Sequence, residues 1–329
     1  MRYLYLALLL SGFAAGAQAE TPAFDAHWDP GAADCSKQAH PPLEVYRYDA
    51  RTYVLREGLC STWEAPFMYL LIGDERALLI DTGDVADPKL MPLAQTVLAL
   101  LPHTGDKHLP LVVVHSHTHL DHRAGDPQFQ GLPDVQVVAA QLPSVKAYFG
   151  FTHWPEGVTQ FNLGQRIVDV LPAPGHNPAH VIFYDRVTDL VFSGDFLLPA
   201  RLIVDDIGAY RASARRVMEF LRDRPVSYVL GGHIEEDRDG KLYDWQSSYH
   251  PDERTLPLAK SDVMALPAAL DAFNGFESEQ DGFTIIDSMH VLEAMAAAAV
   301  LALLGLGYGV YRWVRRIRRP RTAGTGAPQ

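Results

Sequence analysis

His115-Ser116-His117-Thr118-His119-Leu120-Asp121-His122-Arg123-Ala124-Gly125 puts four imidazoles and a carboxylate into eight positions, directly after the apolar run Leu111–Val114. A strand over that run delivers the cluster to a sheet edge. In extended chain the i, i+2 spacing turns His117 and His119 to one face, while Asp121 and His122 follow where the chain bends. Packing gives no reason to crowd so many polar rings, and burying them uncompensated is costly. The stretch therefore reads as a metal site, His117 and His119 serving one cation and Asp121 and His122 a second.

Four further segments carry polar residues just after apolar runs: Ile80-Asp81-Thr82-Gly83, Pro174-Gly175-His176, Ser193-Gly194-Asp195 and Gly231-Gly232-His233. Together with the HxHxDH string His117–His122, and in this order, they resemble the metallo-β-lactamase superfamily over about Val45 to His233. The resemblance implies an α/β fold, the four-layer αβ/βα sandwich; periodicity alone gives only mixed α/β. It also implies that His117, His119 and His176 bind one metal, that Asp121, His122 and His233 bind a second, and that Asp195 bridges them. Asp81 and His180 resemble positions that support the ligands from behind. Nitrogen and carboxylate donors without thiolate suit two Zn²⁺, and Fe or Mn also accept them.

A water shared by two such ions has its pKa lowered toward ~7 and supplies hydroxide to attack a carbonyl, with Asp121 orienting it or relaying a proton. The implied activity is hydrolysis of a small ester, lactone, thioester or amide. Asp195 resembles the bridging carboxylate of glyoxalase II-like thioesterases and lactonases, where the best-known β-lactamases have Cys or Ser. Glyoxalase II relatives also append a helical substrate domain, whereas here the stretch between His233 and the C-terminal apolar run, with its Pro, Asp and Tyr residues, reads as a capping loop and stalk, placed at residues 251–290. That counts against glutathione thioesters. Two alternatives stay open: a mononuclear iron sulfur dioxygenase of the same fold, and a non-catalytic zinc-binding envelope protein. His115 reads as a strand-end residue, and Tyr148 and Tyr210 as ordinary amphipathic tyrosines.

Around these motifs the expected order is an irregular lead-in over residues 20–44 and a catalytic domain over 45–250. Phe67–Ile72 and Ala77–Ile80 flank Gly73-Asp74-Glu75-Arg76 as a hairpin. Pro88–Leu101 has helical spacing after Asp87 as N-cap. Val135–Ala140, Ile167–Leu171, Val181–Tyr184, Leu190–Phe192 and Val226–Leu230 read as strands, and Ala209–Leu221 as an amphipathic helix.

Both ends are set apart. Residues 1–19 open with Arg2, run through Leu4–Leu10 and finish Ala17-Gln18-Ala19, the pattern of a cleaved secretory signal. Residues 291–314 hold eighteen uncharged, mostly apolar positions from Ala294 to Tyr311, enough for a transmembrane helix, and Arg312, Arg315, Arg316, Arg318 and Arg319 mark residues 315–329 as a basic cytoplasmic tail. The expectation is a catalytic domain outside the cytoplasmic membrane, tethered by its C-terminus. In such an oxidising space Cys35 and Cys60, the only two cysteines, either form a disulfide or remain two buried thiols.

The formal charge is −12. Setting aside residues 1–19 and 291–329 removes seven Arg and one Glu and leaves 21 basic against 39 acidic side chains, or −18. Such a surface argues against nucleic acid and for a small-molecule substrate.

Overall fold

The computed structural model describes residues 22–317. The expected signal segment and most of the basic tail lie outside the described residues.

Two sheets face each other. The first is built from Leu43–Arg47 (β1), Thr52–Glu57 (β2), Phe67–Ile72 (β3) and Ala77–Ile80 (β4), then, after helix Leu93–Leu100 (α1) and a small hairpin of His103–Thr104 (β5) and Lys107–His108 (β6), from Leu111–Val114 (β7) and Val135–Val137 (β8). Its order is β1-β2-β3-β4-β7-β8. Helix Leu142–Phe149 (α2) leads to the second sheet: Thr159–Asn162 (β9), Ile167–Pro172 (β10), Val181–Asp185 (β11), Leu190–Gly194 (β12) and, after Arg201–Ile203 (β13) and helix Ile207–Leu221 (α3), Tyr228–Gly231 (β14). Its order is β14-β12-β11-β10-β9. Helix Lys260–Ala272 (α4), strands Glu277–Gln280 (β15) and Phe283–Ile286 (β16), and helix Ser288–Ile317 (α5) complete the chain.

The period of two along each strand makes the layers. Phe67, Tyr69 and Leu71 of β3 join Leu78, Ile80, Val112 and Val114 against Val168, Val170, Val181, Phe183, Leu190 and Phe192 of the opposite sheet. The alternate residues Met68, Leu70, Ile72, Leu79 and Val113 turn outward onto Leu93, Ala94 and Val97 of α1. On the other flank Ile182, Tyr184, Val191 and Val229 meet Tyr210, Ala214, Val217 and Leu221 of α3, with Leu266 and Leu270 of α4 behind them. Helix, sheet, sheet and helix are thus stacked as four layers, the αβ/βα sandwich expected.

Two regions differ from expectation, and a third resolves an open alternative. The helix expected over Pro88–Leu101 begins only at Leu93, because Pro92 has no N–H for a preceding turn and biases Met91 away from helix. Asp87 caps a turn instead: its Oδ1 accepts from Lys89 N–H at 2.9 Å. Residues 251–290, expected as a capping loop and stalk, contain α4 and pair β15 and β16 with β13 in a three-stranded sheet. Val263, Leu266 and Leu270 at helical spacing give α4 its buried face. The lead-in is bound to the domain by a Cys35–Cys60 disulfide, which settles that alternative.

α5 carries an apolar stretch, Leu292–Val314, of mean hydropathy 1.8, none of it buried against the domain.

Candidate metal centre

The parallel pairs β4/β7 and β12/β14 run the same way within their sheets, and their C-terminal ends meet at one edge of the sandwich. Asp81 follows β4, the histidine-rich turn follows β7, Asp195 follows β12 and His233 follows Gly231 of β14 by two residues. His176 lies in the loop after β10. A register shift at Phe192/Gly194 between β12 and β14 bends the chain just before Asp195, the kind of bulge that re-aims a side chain.

Seven side chains converge there as two groups of possible metal donors, His117, His119, His176 and Asp195 in one, Asp121, His122, Asp195 and His233 in the other. Within the first, His176 Nε2 is 3.1 Å from His119 Nδ1. Asp195 Oδ2 lies 3.5 Å from His176 Nε2 and 3.8 Å from His117 Nε2. Within the second, Asp121 Oδ2 is 3.1 Å from His122 Nε2 and 3.2 Å from His233 Nε2. The other oxygen of Asp195, Oδ1, is 3.4 Å from His122 Nε2 and 3.7 Å from His233 Nε2. Asp195 thus turns one oxygen to each group.

The outer nitrogens fix the rings. His176 Nδ1–H donates to Ile203 O at 2.9 Å and His233 Nδ1–H to Glu64 O at 2.7 Å. Carbonyls only accept, so in the neutral rings the inward Nε2 atoms keep their lone pairs. His122 Nδ1 meets Asp81 Oδ2 at 2.9 Å. Asp81 also accepts Ser116 N–H at 2.7 Å and the Ser116 hydroxyl at 2.8 Å, leaving that hydroxyl to accept from His117 Nδ1 at 3.0 Å. Asp81 adopts φ +66°, a left-handed conformation that Asp tolerates better than most side chains. Gly232 leaves the space these groups need, since a Cβ there would sit 2.2 Å from Asp195 Oδ1.

A cation fits this donor set. His117 Nε2 and Asp195 Oδ1 are buried with no hydrogen-bond partner, a costly state for inward-facing donors unless an ion takes them up. Burial, reinforced by His122 and His176, pushes the His117 imidazole well below its usual pKa, so its lone pair is free. Burial and His176 lower His119 in the same sense. In the second group burial acts downward on His122 and His233, but Asp195 with Asp121 outweighs it, raising His122 well above its ordinary value and His233 to about 10. Burial alone would raise Asp121 and Asp195, yet His122 and His233 hold both carboxyls below the usual carboxylate range.

Other residues weighed from the sequence fall differently. His180 is buried and stacked on His117, with ring centroids 5.1 Å apart and planes 17° apart; both its nitrogens lack a hydrogen-bond partner, so it backs the ring by packing. His115 Nε2 meets Asp126 Oδ1 at 2.8 Å and faces away from both groups. Tyr210 is buried and donates to Phe196 O, and Tyr148 packs on Phe149 and Phe161. The sequence reading missed Ser116 and Glu64. Ser116 was visible inside the histidine string; the Glu64 carbonyl, like Ile203 O, had no signal, because any residue offers one.

A sequence profile of the Metallo-beta-lactamase superfamily matches residues 61–233, just over half of the chain. Acyl-coenzyme A thioesterase MBLAC2 of Gallus gallus is 25% identical over 243 residues, 64% of this chain and 86% of the relative. Hydroxyacylglutathione hydrolase of Aeromonas hydrophila is 27% identical over 251 residues, 68% and 93% of the two chains. Among solved structures, a metallo-beta-lactamase from Pontibacter korlensis is 19% identical with a TM-score of 0.45, covering 70% of this chain and all of that one.

Proposed function

The chain belongs to the metallo-β-lactamase superfamily and is a metal-dependent hydrolase, and from that premise we propose a dinuclear zinc enzyme that cleaves an acyl thioester or a related ester, lactone or amide. The division of the Asp195 oxygens between the two donor groups carries this reading. When bound, paired cations supply a water of lowered pKa and polarise a carbonyl oxygen.

The chain's own residues do the rest. His117, His119 and His176 would hold the first ion, and His122, His233 and Asp121 the second, with Asp195 offering one oxygen to each. Asp121 has one oxygen, Oδ2, turned on His122 and His233. Its Oδ1 takes the proton released as water adds to the carbonyl carbon and returns it to the leaving sulfur, oxygen or nitrogen as that bond breaks. Asp81 and Ser116 hold the imidazoles still.

Thioesters head the substrate list because two relatives are named as thioester-type hydrolases, the acyl-coenzyme A thioesterase and the hydroxyacylglutathione hydrolase. The reading that set glutathione thioesters aside rested on a loop after His233; α4 stands in that stretch, so they belong in the substrate panel. We further propose that α5 anchors the chain in a membrane with the domain on its oxidising, extracytoplasmic side. The exposed apolar run and the Cys35–Cys60 bridge support this.

Elemental analysis of the purified full chain, with assays on acyl-CoA, glutathione and simple acyl thioesters, lactones and amides, tests the proposal. About two zinc per chain and metal-dependent thioester cleavage are expected. One iron with oxygen consumption would establish the dioxygenase instead, and a zinc-loaded chain inert on every carbonyl substrate would overturn the reaction class.

A further inference from the structure

Helix α5 springs from the same end of the fold as the metal centre. Gly175 O, next to His176, accepts from the N–H groups of Asp205 and Asp206 at 2.9 Å each, and His176 Nδ1–H donates to Ile203 O. β13 therefore ends against the His176 loop. It runs parallel to β16 with Ile203 in register with Ile286, and Val204 N–H donates to Ile286 O at 2.9 Å. α5 begins two residues later, at Ser288. One strand spacing thus separates the backbone that steadies a metal-binding ring from the root of the helix that carries the apolar run.

The root is tied to the domain. Asp287 N–H donates to Phe276 O at 2.9 Å, Asp287 Oδ1 accepts from His290 N–H at 3.0 Å, and His290 Nδ1 lies 3.0 Å from Gly275 O. Strands ~4.8 Å apart and the short climb from Ile286 to Leu292 bound the path from the His176 ring to the apolar run at roughly 25 Å, about half the breadth of a domain this size. Two large apolar side chains at the root are left in water, Phe276 at 50% and Met289 at 60% exposed. They stand where the headgroup region of a bilayer crossed by α5 covers them.

We propose that the metal centre works at a bilayer surface on an amphiphile held in the same membrane as α5: a long-chain acyl thioester or ester whose chain stays among the lipids while its carbonyl reaches the edge bearing His176. Water adds to the carbonyl carbon, the bond to sulfur or oxygen breaks, and the fatty acid and the thiol or alcohol leave. The inference rests on the hydrolase and anchor readings above and adds the substrate class. The exposed carboxylates of Glu277 and Glu279 flank the root, Glu277 in register with Ile286, so a zwitterionic surface is the one to test, an anionic one being repelled.

The test uses the full chain in phosphatidylcholine vesicles, with the S-palmitoyl thioester of N-acetylcysteamine dissolved in the bilayer and the S-acetyl thioester in the water. A second full chain carries a rigid helical spacer of about 20 residues between Asp287 and Ser288, which lifts the domain by roughly 30 Å. The spacer is expected to lower kcat/KM for the palmitoyl thioester ~10- to 100-fold, mainly through KM, with acetyl cleavage and metal content kept. An unchanged palmitoyl-to-acetyl ratio, or a wild type that cleaves only the acetyl thioester, overturns the proposal. A parallel measurement needs no turnover: photolabelling by phosphatidylcholine with a headgroup diazirine should mark Ile203 to Gly208 along with Phe276 and Met289 in wild type, and lose Ile203 to Gly208 in the spacer chain. Marks confined to α5 in both overturn the placement, and a chain that does not float with the vesicles removes the anchor and the proposal with it. The expected labelling with neither thioester cleaved leaves the placement standing and removes the hydrolase reading.

Discussion

His117, His119 and His176 bring three imidazoles to a single oxygen of Asp195, whereas His122 and His233 share their group with Asp121 and the other Asp195 oxygen, and His122 rests on Asp81 as well. The first group is therefore a gathering of neutral lone pairs. In the second, carboxylates draw protons onto the rings, which is why burial lowers His117 while His233 rises to about 10. One sandwich edge thus offers two sites of different charge, two carboxylates and two imidazoles on one side against one carboxylate and three imidazoles on the other. The unequal charge makes their metal chemistry separable.

The largest effect should come from the residue the groups share. Asp195→Ala is expected to reduce turnover by more than the ~10²-fold that loss of an outer hydrogen-bond partner brings, and to lower metal content in both groups. Full occupancy measured by elemental analysis, with normal kcat, would show that the two groups work without a common carboxylate.

Asp81→Ala sharpens the contrast at smaller cost. It removes the partner of His122 Nδ1 directly but reaches His117 only through Ser116. Metal affinity of the second group should fall ~10- to 100-fold and that of the first by less, seen as two separated steps in a competitive chelator titration. Equal weakening of both steps would mean that Ser116 couples the groups tightly.

The smallest effect is in protons. In the metal-free chain His233 has a raised pKa, so the stabilisation from its charged form is complete below the ordinary histidine value near ~6.5 and is lost as pH rises through about 10. Metal entering the second group must displace that proton, so its affinity should climb over the same window. The first group, with His117 and His119 lowered, should load near neutrality with little proton release. An indicator-dye titration of the stripped protein should therefore show protons liberated with one metal equivalent and few with the other.

Much of this contrast could be read along the chain. The histidine-rich turn past an apolar strand declares a metal site by residue type, and periodicity gives a mixed α/β chain, whereas the four-layer sandwich and the full set of seven side chains were legible only through the family resemblance. The parts that escaped have no private chemistry. Glu64 and Ile203 act through carbonyls that every residue possesses, and Ile203 meets Ile286 only after folding joins positions far apart in sequence. The α1 start at Leu93 was recoverable from Pro92, whereas α4 hid behind the polar and proline-rich composition of its surroundings, with Pro267 inside the helix itself.

The donors come from both sheets: His117, His119, Asp121 and His122 hang from the first, while His176, Asp195 and His233 hang from the second. An ion held by residues from both acts as a rivet through the seam of the sandwich. Thermal melting of this protein should then report its metal loading as much as its hydrophobic core, and chelation should loosen the two halves at the edge where catalysis occurs before it disturbs the far end.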